Sequence, residues 1–400
     1  MSDTAADPRL LRAPPKRGIR LSWADERLRA IVWQVLVLGV VGGIIWWLVS
    51  NTAHNLEVRR IATGWGFLSR EAGLPVAESL ISYNPTNTYA RALLVGVLNT
   101  LKVAVVGIIL ATLLGTVLGI ARLSRNWLLS RIAAVYIEAI RDVPLLLQLL
   151  FWYTLLQALP SPRQSLHPMA GVFLSNRGLR LPWIEWQDAH SFALLGLVVG
   201  VVATFLYARR ARAKQMADGQ PRRVWPVALG CIIGLPLLIW LAFGAPFTGD
   251  IPSLRGFNFA GGLAVTPEYF ALLLGLVTYT AAFIAEIVRA GIQAVAKGQW
   301  EAAQALGLQR GLIMRKIVLP QALRVIIPPM TSQYLNLTKN SSLAVAIGYQ
   351  DIVSIANTTL NQTGQAIEGI AIIMIVYLTI SLSISLFMNW YNARIALVER

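Results

Sequence analysis

The chain has 400 residues, 56% of them hydrophobic and 14% charged, with a formal net charge of +16 and a mean hydropathy of +0.59. A water-exposed globular surface needs more charge than this, so the composition excludes a soluble fold and predicts a polytopic membrane protein. One cysteine, Cys231, excludes an internal disulfide, and His54, His167 and His190 lack metal-ligand spacing, so no metal site is expected.

In chain order, residues 1–30 read as a polar, basic, Pro-bearing tail. The apolar run over 31–50 is long enough to cross the membrane and has no small-x-small cleavage site at Val49 to His54, so it is expected to stay as an anchor. Residues 51–88 form an outer loop with a turn signal at Asn84-Pro85. Seven further spans are expected near 93–121, 132–159, 192–208, 224–246, 268–295, 322–346 and 369–391, about eight in all, which makes the fold all-α. The segment 161–265 reads as an insertion. It is entered through Pro160, Pro162, His167-Pro168 and Pro182-Trp183, and it contains two spans anchored by Trp183, Trp186, Trp225 and Trp240. It closes through Gly249 to Pro267, and Cys231 within it reads as a small packing residue. No internal sequence repeat is evident.

Positive charge is sorted by loop. Arg9, Arg12, Lys16, Arg17, Arg20, Arg27 and Arg29 precede the first span; Arg122, Arg125 and Arg131 follow the second; Arg209, Arg210, Arg212, Lys214, Arg222 and Arg223 follow the fourth. Loops of the opposite set carry far fewer. This asymmetry predicts that both termini and the loop after the sixth span face the cytoplasm, and it accounts for the net charge without nucleic acid.

That loop, Glu301 to Pro320, is polar and helix-forming between two apolar spans. Glu301 to Leu306 are mostly strong helix formers, Gly307 supplies a break and permits close backbone approach, Leu308 to Val318 carry a second amphipathic pattern, and Pro320 ends it. Leu306, Leu308, Leu312, Ile313 and Ile317 make a candidate apolar face, with Arg310, Arg315 and Lys316 in water. Such a face suits either a groove on a soluble partner or an anionic lipid surface. Glu301 reads either as an interface contact or as a first-turn carboxylate favoured by the helix dipole. The chain has no phosphate-binding G-x-x-x-x-G-K-[ST] loop, so energy for any pumping must come from elsewhere.

Polar residues within spans are costly and mark either a path or helix association. Lys339, Asn340, Ser341 and Ser342 form the densest cluster, open to a path role or to a snorkelling lysine with serines bonding their own backbone. Asn99, Thr100 and Lys102 are similar. Glu286 and Arg289, three apart, are expected to pair as a structural clasp rather than a substrate site. Glu138, Arg141 and Asp142 end the third span, Pro144 is expected to kink it as a hinge, and Gln148 lies a turn beyond, available to the path or to a neighbouring helix.

The order Glu301-Ala302-Ala303, three residues, Gly307, nine residues, Ile317, one residue, Leu319-Pro320 resembles the EAA loop of bacterial ABC importer permeases. NTLKVAVVG (99–107), RDVPLLLQLLFWY (141–153), TYTAAFIAEIVRAGIQAVAKGQWEAAQALGL (278–308), LPQALRVIIPP (319–329) and KNSSLAVAIG (339–348) are similar to the polar amino-acid branch, which handles histidine, glutamine, glutamate, arginine and opines. The first anchor and the insertion resemble the general L-amino-acid permeases of the Aap/Bzt type. This resemblance implies a type I (MetI-like) permease domain over 89–392 with an inserted helix pair, and a coupling loop at 297–320 gripped by a cytoplasmic ABC ATPase dimer. ATP and Mg would be bound by that ATPase and no cofactor by this chain, which would do no covalent chemistry. Further implied partners are a second, paralogous permease chain and a periplasmic amino-acid-binding protein, and the location is the cell inner membrane. Glu301, Ala302, Ala303, Gly307, Arg310, Ile317, Leu319 and Pro320 would form the coupling surface. The rival reading, an ion-coupled secondary transporter, predicts internal repeats and leaves the loop spacing without a purpose.

Overall fold

The computed structural model describes residues 26–58, 63–220, 222–246 and 249–395. The basic tail up to residue 25, Arg59, Arg60 and Arg400 therefore lie outside the described residues. The chain divides into two compact units, residues 1–64 with 363–365 and residues 65–362 with 366–400. The first unit contains α1 (Glu26–Val58), whose 33 residues make a rod of about 50 Å, longer than the hydrocarbon core requires.

In the second unit, residues 65–88 pack Phe67, Ala72 and Leu74 against Tyr89, Ala92 and Val95 at the start of α2 (Tyr89–Arg122). The Thr88 side-chain oxygen caps α2 by accepting from the Arg91 N–H. Its main neighbour is α8 (Pro267–Gln293), and Gly115 and Gly119 set how closely the two approach. A Cβ on Gly115 would sit 2.6 Å from Ile284 Cβ, and one on Gly119 2.7 Å from the Ala285 carbonyl oxygen. This is the small-xxx-small contact that brings membrane helices into van der Waals packing.

The span expected over 132–159 is divided into α3 (Trp127–Asp142) and α4 (Leu145–Gln157). Pro144 ends one helix and starts the next, where a kink in a continuous helix was expected. Val143 is extended at φ −95°, ψ 128°, and Pro144 follows at φ −56°, ψ 136°. A residue before proline is pushed out of the helical region, and proline has no N–H for the ladder. α3 is amphipathic, and α4 is apolar but only 13 residues long.

Among the described residues, six helices are long and apolar enough to cross a membrane. They are α1, α2, α5 (Asp188–Asp218), the run Trp225–Ala242, α8 and α13 (Ala366–Ile395). Trp225–Ala242 joins α6 (Trp225–Leu229) to α7 (Leu235–Ala242) through a π turn. The expected span 322–346 is α11 (Leu319–Asn340) continued by a 3₁₀ turn over Ser341–Ile347. Arg324, Gln333, Asn336 and Lys339 dilute its apolar character. α12 (Ile352–Thr363) precedes α13.

The insertion holds the expected helix pair and, in addition, short strands. β1 (Leu166–Met169), β2 (Val172–Ser175), β3 (Gly178–Leu181) and β8 (Leu263–Val265) form an antiparallel sheet in that order. β4 (Trp183–Ile184) pairs with β5 (Gly249–Asp250), and β6 (Ser253–Arg255) with β7 (Asn258–Ala260). The register Leu179 opposite Val265 draws the two ends of the insertion together next to the start of α8. Gly200 lies so close to the second helix that a Cβ there would meet the Cys231 carbonyl. The stacked rings of Phe192, at the start of α5, and Phe243, just after α7, lie 5.0 Å apart and close the open end of the helix pair.

Candidate functional site

The Glu301–Pro320 loop is built from three helical pieces. α9 (Lys297–Ala305) ends in a Schellman motif: the Gly307 N–H donates to the Gln304 carbonyl at 2.9 Å and the Leu308 N–H to the Ala303 carbonyl at 3.2 Å. Gly307 is left-handed at φ +74°, but nothing lies within 4 Å of where its Cβ would be. The break expected there is present, and within this chain it serves the backbone angle, with no close approach. Glu301 falls in the second turn of α9, too far along for the first-turn dipole role.

α10 (Arg310–Ile313) runs through a π turn, Met314–Val318, directly into α11. Pro320 was expected to end the helix and instead lies within it. The π turn explains this: the Leu319 N–H donates to the Met314 carbonyl, five residues back, so the ladder is offset before the proline that cannot donate.

The loop has an inner and an outer face. Ala303, Ile313 and Val318 are buried in one cluster with Ile284, Val288, Ala322 and Ile326, and Trp300, Leu308 and Ile317 pack against it. Of the expected apolar face, then, Leu308, Ile313 and Ile317 turn to the protein's own core. Leu306, 79% exposed, and Leu312, 44% exposed, remain outside, together with Glu301, Ala302, Arg310, Arg315 and Lys316. Leu319 and Pro320 are exposed at the start of α11.

Above this loop, charged side chains tie three helices together. Arg122 Nη1 donates to Glu286 Oε2 at 2.7 Å, Arg122 Nη2 meets Glu138 at 3.4 Å, and Arg289 Nε bonds both Glu286 oxygens at 3.1 Å. Arg141 lies over the Phe283 ring, 5.0 Å from its centroid. Glu286 and Arg289 thus pair as the expected clasp, with Arg122 as the member that spacing did not reveal.

The intramembrane polar residues separate by partner. Thr100 donates to the Gly96 carbonyl at 2.9 Å and accepts from the Ile352 N–H at 3.1 Å. Gln148 Nε2 donates to the Ile140 and Val143 carbonyls, both at 2.9 Å, closing the end of α3. Ser341 and Ser342 donate to the Thr338 and Lys339 carbonyls at 2.7 and 2.8 Å. Lys339 is exposed and Asn340 half-buried.

Asn99 belongs to a different group. It donates to the Glu78 and Gln350 carbonyls, each at 2.9 Å, beside a cavity of about 400 Å³ lined by Glu78, Glu268, Tyr349 and Gln350. Lys102 pairs with Glu78 at 2.8 Å and lies 4.0 Å from the Tyr269 ring centroid. Sequence reading did not single out Glu78, Glu268, Tyr349 or Gln350. The loop holding Glu78 joins α2 by tertiary contact, for which no local pattern exists.

Asp351, also unremarked in the sequence, is 1% exposed in the connection before α12. It accepts from the Ser354 N–H at 2.8 Å and the Tyr377 hydroxyl at 3.4 Å. Burial pushes its carboxyl up to about 7, against smaller lowering contributions from those hydrogen bonds.

Long apolar helices with a structured polar loop packed against α8 and α11 mark a multi-pass membrane protein. Residues 227–397 match the family of binding-protein-dependent transport system inner membrane components. The chain is 50% identical over 385 residues to the general L-amino acid transport system permease protein AapQ of Rhizobium johnstonii, covering 96% of each chain. It is 52% identical over 382 residues to the putative amino-acid ABC transporter permease protein YhdX of Escherichia coli, covering 95% of this chain and 97% of that one. It is 43% identical over 423 residues to the glutamate/glutamine/aspartate/asparagine transport system permease protein BztB of Rhodobacter capsulatus, covering 97% and 99%. The chain belongs to the amino-acid permease subunits of binding-protein-dependent ABC transport systems, and its insertion falls within the region these relatives share.

Proposed function

We propose that this chain is one permease half of an importer for L-amino acids of polar or broad range in the cell inner membrane, with both termini cytoplasmic. A cytoplasmic ATPase dimer binds ATP and Mg and hydrolyses the ATP, a periplasmic binding protein delivers the substrate, and a second, paralogous permease completes the path. The exposed face of the loop carries this reading. Ala303, Ile313 and Val318 root the loop in the core, so a push on Glu301, Ala302, Leu306 or Arg310 is transmitted to α8 and α11 as a rigid body. ATP binding that draws two such loops together switches the core between two arrangements. Of the residues expected on the path, we assign Lys339 and Asn340 to it, because Ser341, Ser342, Thr100 and Gln148 donate to backbone carbonyls.

The test is a cross-link. Ala302→Cys, exposed beside Glu301, is expected to join a cysteine in the groove of the co-purified ATPase, with a yield that changes when ATP is added. No cross-link at any groove position, in a complex that retains uptake, contradicts the coupling role.

A further inference from the structure

The helix pair of the insertion ends in a basic tip that coupling does not use. Gly196, Gly200 and Ala211 are buried and, at roughly 100° per residue, fall on one side of α5. That side meets the returning helix, since a Cβ on Gly196 or Gly200 would strike Ile239 or the Cys231 carbonyl. On the opposite side Leu194, Val198, Val201 and Phe205 are all exposed, at the three- and four-residue spacing of a single stripe. In a bilayer that stripe faces lipid.

Arg209 and Arg212 continue the same stripe and are exposed. Asp188 and Arg209 lie about 32 Å apart along α5 at about 1.5 Å per residue, close to the roughly 30 Å of hydrocarbon in a bilayer. The stripe therefore turns from apolar to cationic where lipid tails give way to headgroups. Helical side chains lean toward the helix N-terminus, which for these two arginines is the direction of the membrane. The Arg209 guanidinium accordingly sits 5.4 Å from the centroid of the Phe205 ring, one turn back. Sorting of positive charge to one side explains why this loop is basic; it does not explain why two of the arginines occupy the lipid-facing stripe.

Their charge is also unmet. Asp218, the one acidic residue between 209 and 223, pairs with Arg222 at 2.8 Å. Neither Arg209 nor Arg212 pairs with a carboxylate among the described residues. Trp225, 63% exposed, opens the returning helix with a side chain favoured at headgroup level. Two unpaired guanidiniums with an apolar stripe leading up to them select an anion that carries a hydrocarbon body. An acidic protein surface would meet the charge and leave the stripe uncovered.

We propose that this end of α5 binds the headgroup of an anionic phospholipid, Arg209 and Arg212 donating to its phosphate while Val201 and Phe205 lie along an acyl chain. The site requires only that α5 cross the bilayer, and it stands apart from the coupling loop.

The test uses the detergent-purified, delipidated complex, titrated with dioleoyl phosphatidylglycerol or dioleoyl phosphatidylcholine and read by native mass spectrometry. The native complex is expected to hold the anionic lipid at least ten-fold more tightly than the zwitterionic one. Arg209→Gln combined with Arg212→Gln is expected to remove at least ten-fold of that affinity. The same loss of charge on the packing side of α5, Arg210→Gln combined with Lys214→Gln, should change it less than three-fold, and Arg209→Lys combined with Arg212→Lys should keep most of it. Equal weakening by the two glutamine pairs would reduce the effect to bulk charge and overturn the site. Equal affinity of the native complex for the two lipids, or displacement of the bound lipid by excess inorganic phosphate, would overturn it as well. Unchanged lipid binding by the Arg209→Gln and Arg212→Gln pair, with loss of a co-purified protein, would assign the arginines to a protein contact instead. If that pair gives no monodisperse complex, the preference of the native complex between the two lipids decides.

Discussion

At Gly307 the requirement is an angle. The residue sits at φ +74° with open space where a Cβ would be, so asparagine, which tolerates the left-handed region, is expected to serve there and a β-branched residue to fail. Gly307→Asn should keep most amino-acid uptake and Gly307→Val should lose it, with equal amounts of both in the membrane by immunoblot; equal uptake by the two variants contradicts this. Asp351 makes a pH prediction. Its folded carboxyl titrates near 7, raised from 3.8, so its contribution to stability is complete below about pH 4 and is lost as pH rises through about 7. Asp351→Asn keeps an oxygen for the Ser354 N–H and removes the titration. The melting midpoint of the native complex should therefore fall more between about pH 5 and pH 8 than that of the variant, and parallel curves would contradict the assignment. The loop proposed for coupling was legible because Glu301, Ala302, Ala303 and Gly307 are fixed by local spacing. Glu78 and Lys102 meet across 24 residues of chain, and nothing in either neighbourhood foretells the other.

Among the elements, the α2–α8 contact carries the core. Gly119→Val would place side-chain atoms against the Ala285 carbonyl and Val288, and backbone at that contact cannot yield cheaply. Overpacking of this kind costs about 1–3 kcal/mol or more, so the variant is expected to lower the yield of folded complex in size-exclusion chromatography. Gly39→Val in α1, where nothing lies within 4 Å, should leave that yield unchanged. The G-x-x-x-G signal was present in the sequence at 115–119, although the expectation of spans from hydropathy alone passed over it. Long helices were read well because apolar length is a strong signal. The divided α3–α4 segment was read less well, because Pro144 fits both a kink and a break. The strands of the insertion are two to four residues each, too short for alternation to register, and their pairing of β3 with β8 spans the whole insertion.

For the whole molecule, the proposal is a membrane permease driven by a partner through a loop that is rooted against α8 and α11. The cytoplasmic placement proposed for the loop rests on two separate arguments, the positive-charge asymmetry and the resemblance of its motif. The insertion is tied off at its base by β3 and β8, so the helix pair it carries is an addition to the core rather than an interruption of it. The central claim is tested most directly by purifying the chain from its native membrane in mild detergent. Everything retained is identified by mass spectrometry, and ATP hydrolysis is measured with and without the periplasmic binding protein loaded with amino acid. The account predicts a retained ATPase and a second permease chain, with hydrolysis raised by the loaded binding protein. A chain recovered with no ATPase, under conditions that keep other such complexes intact, would contradict it.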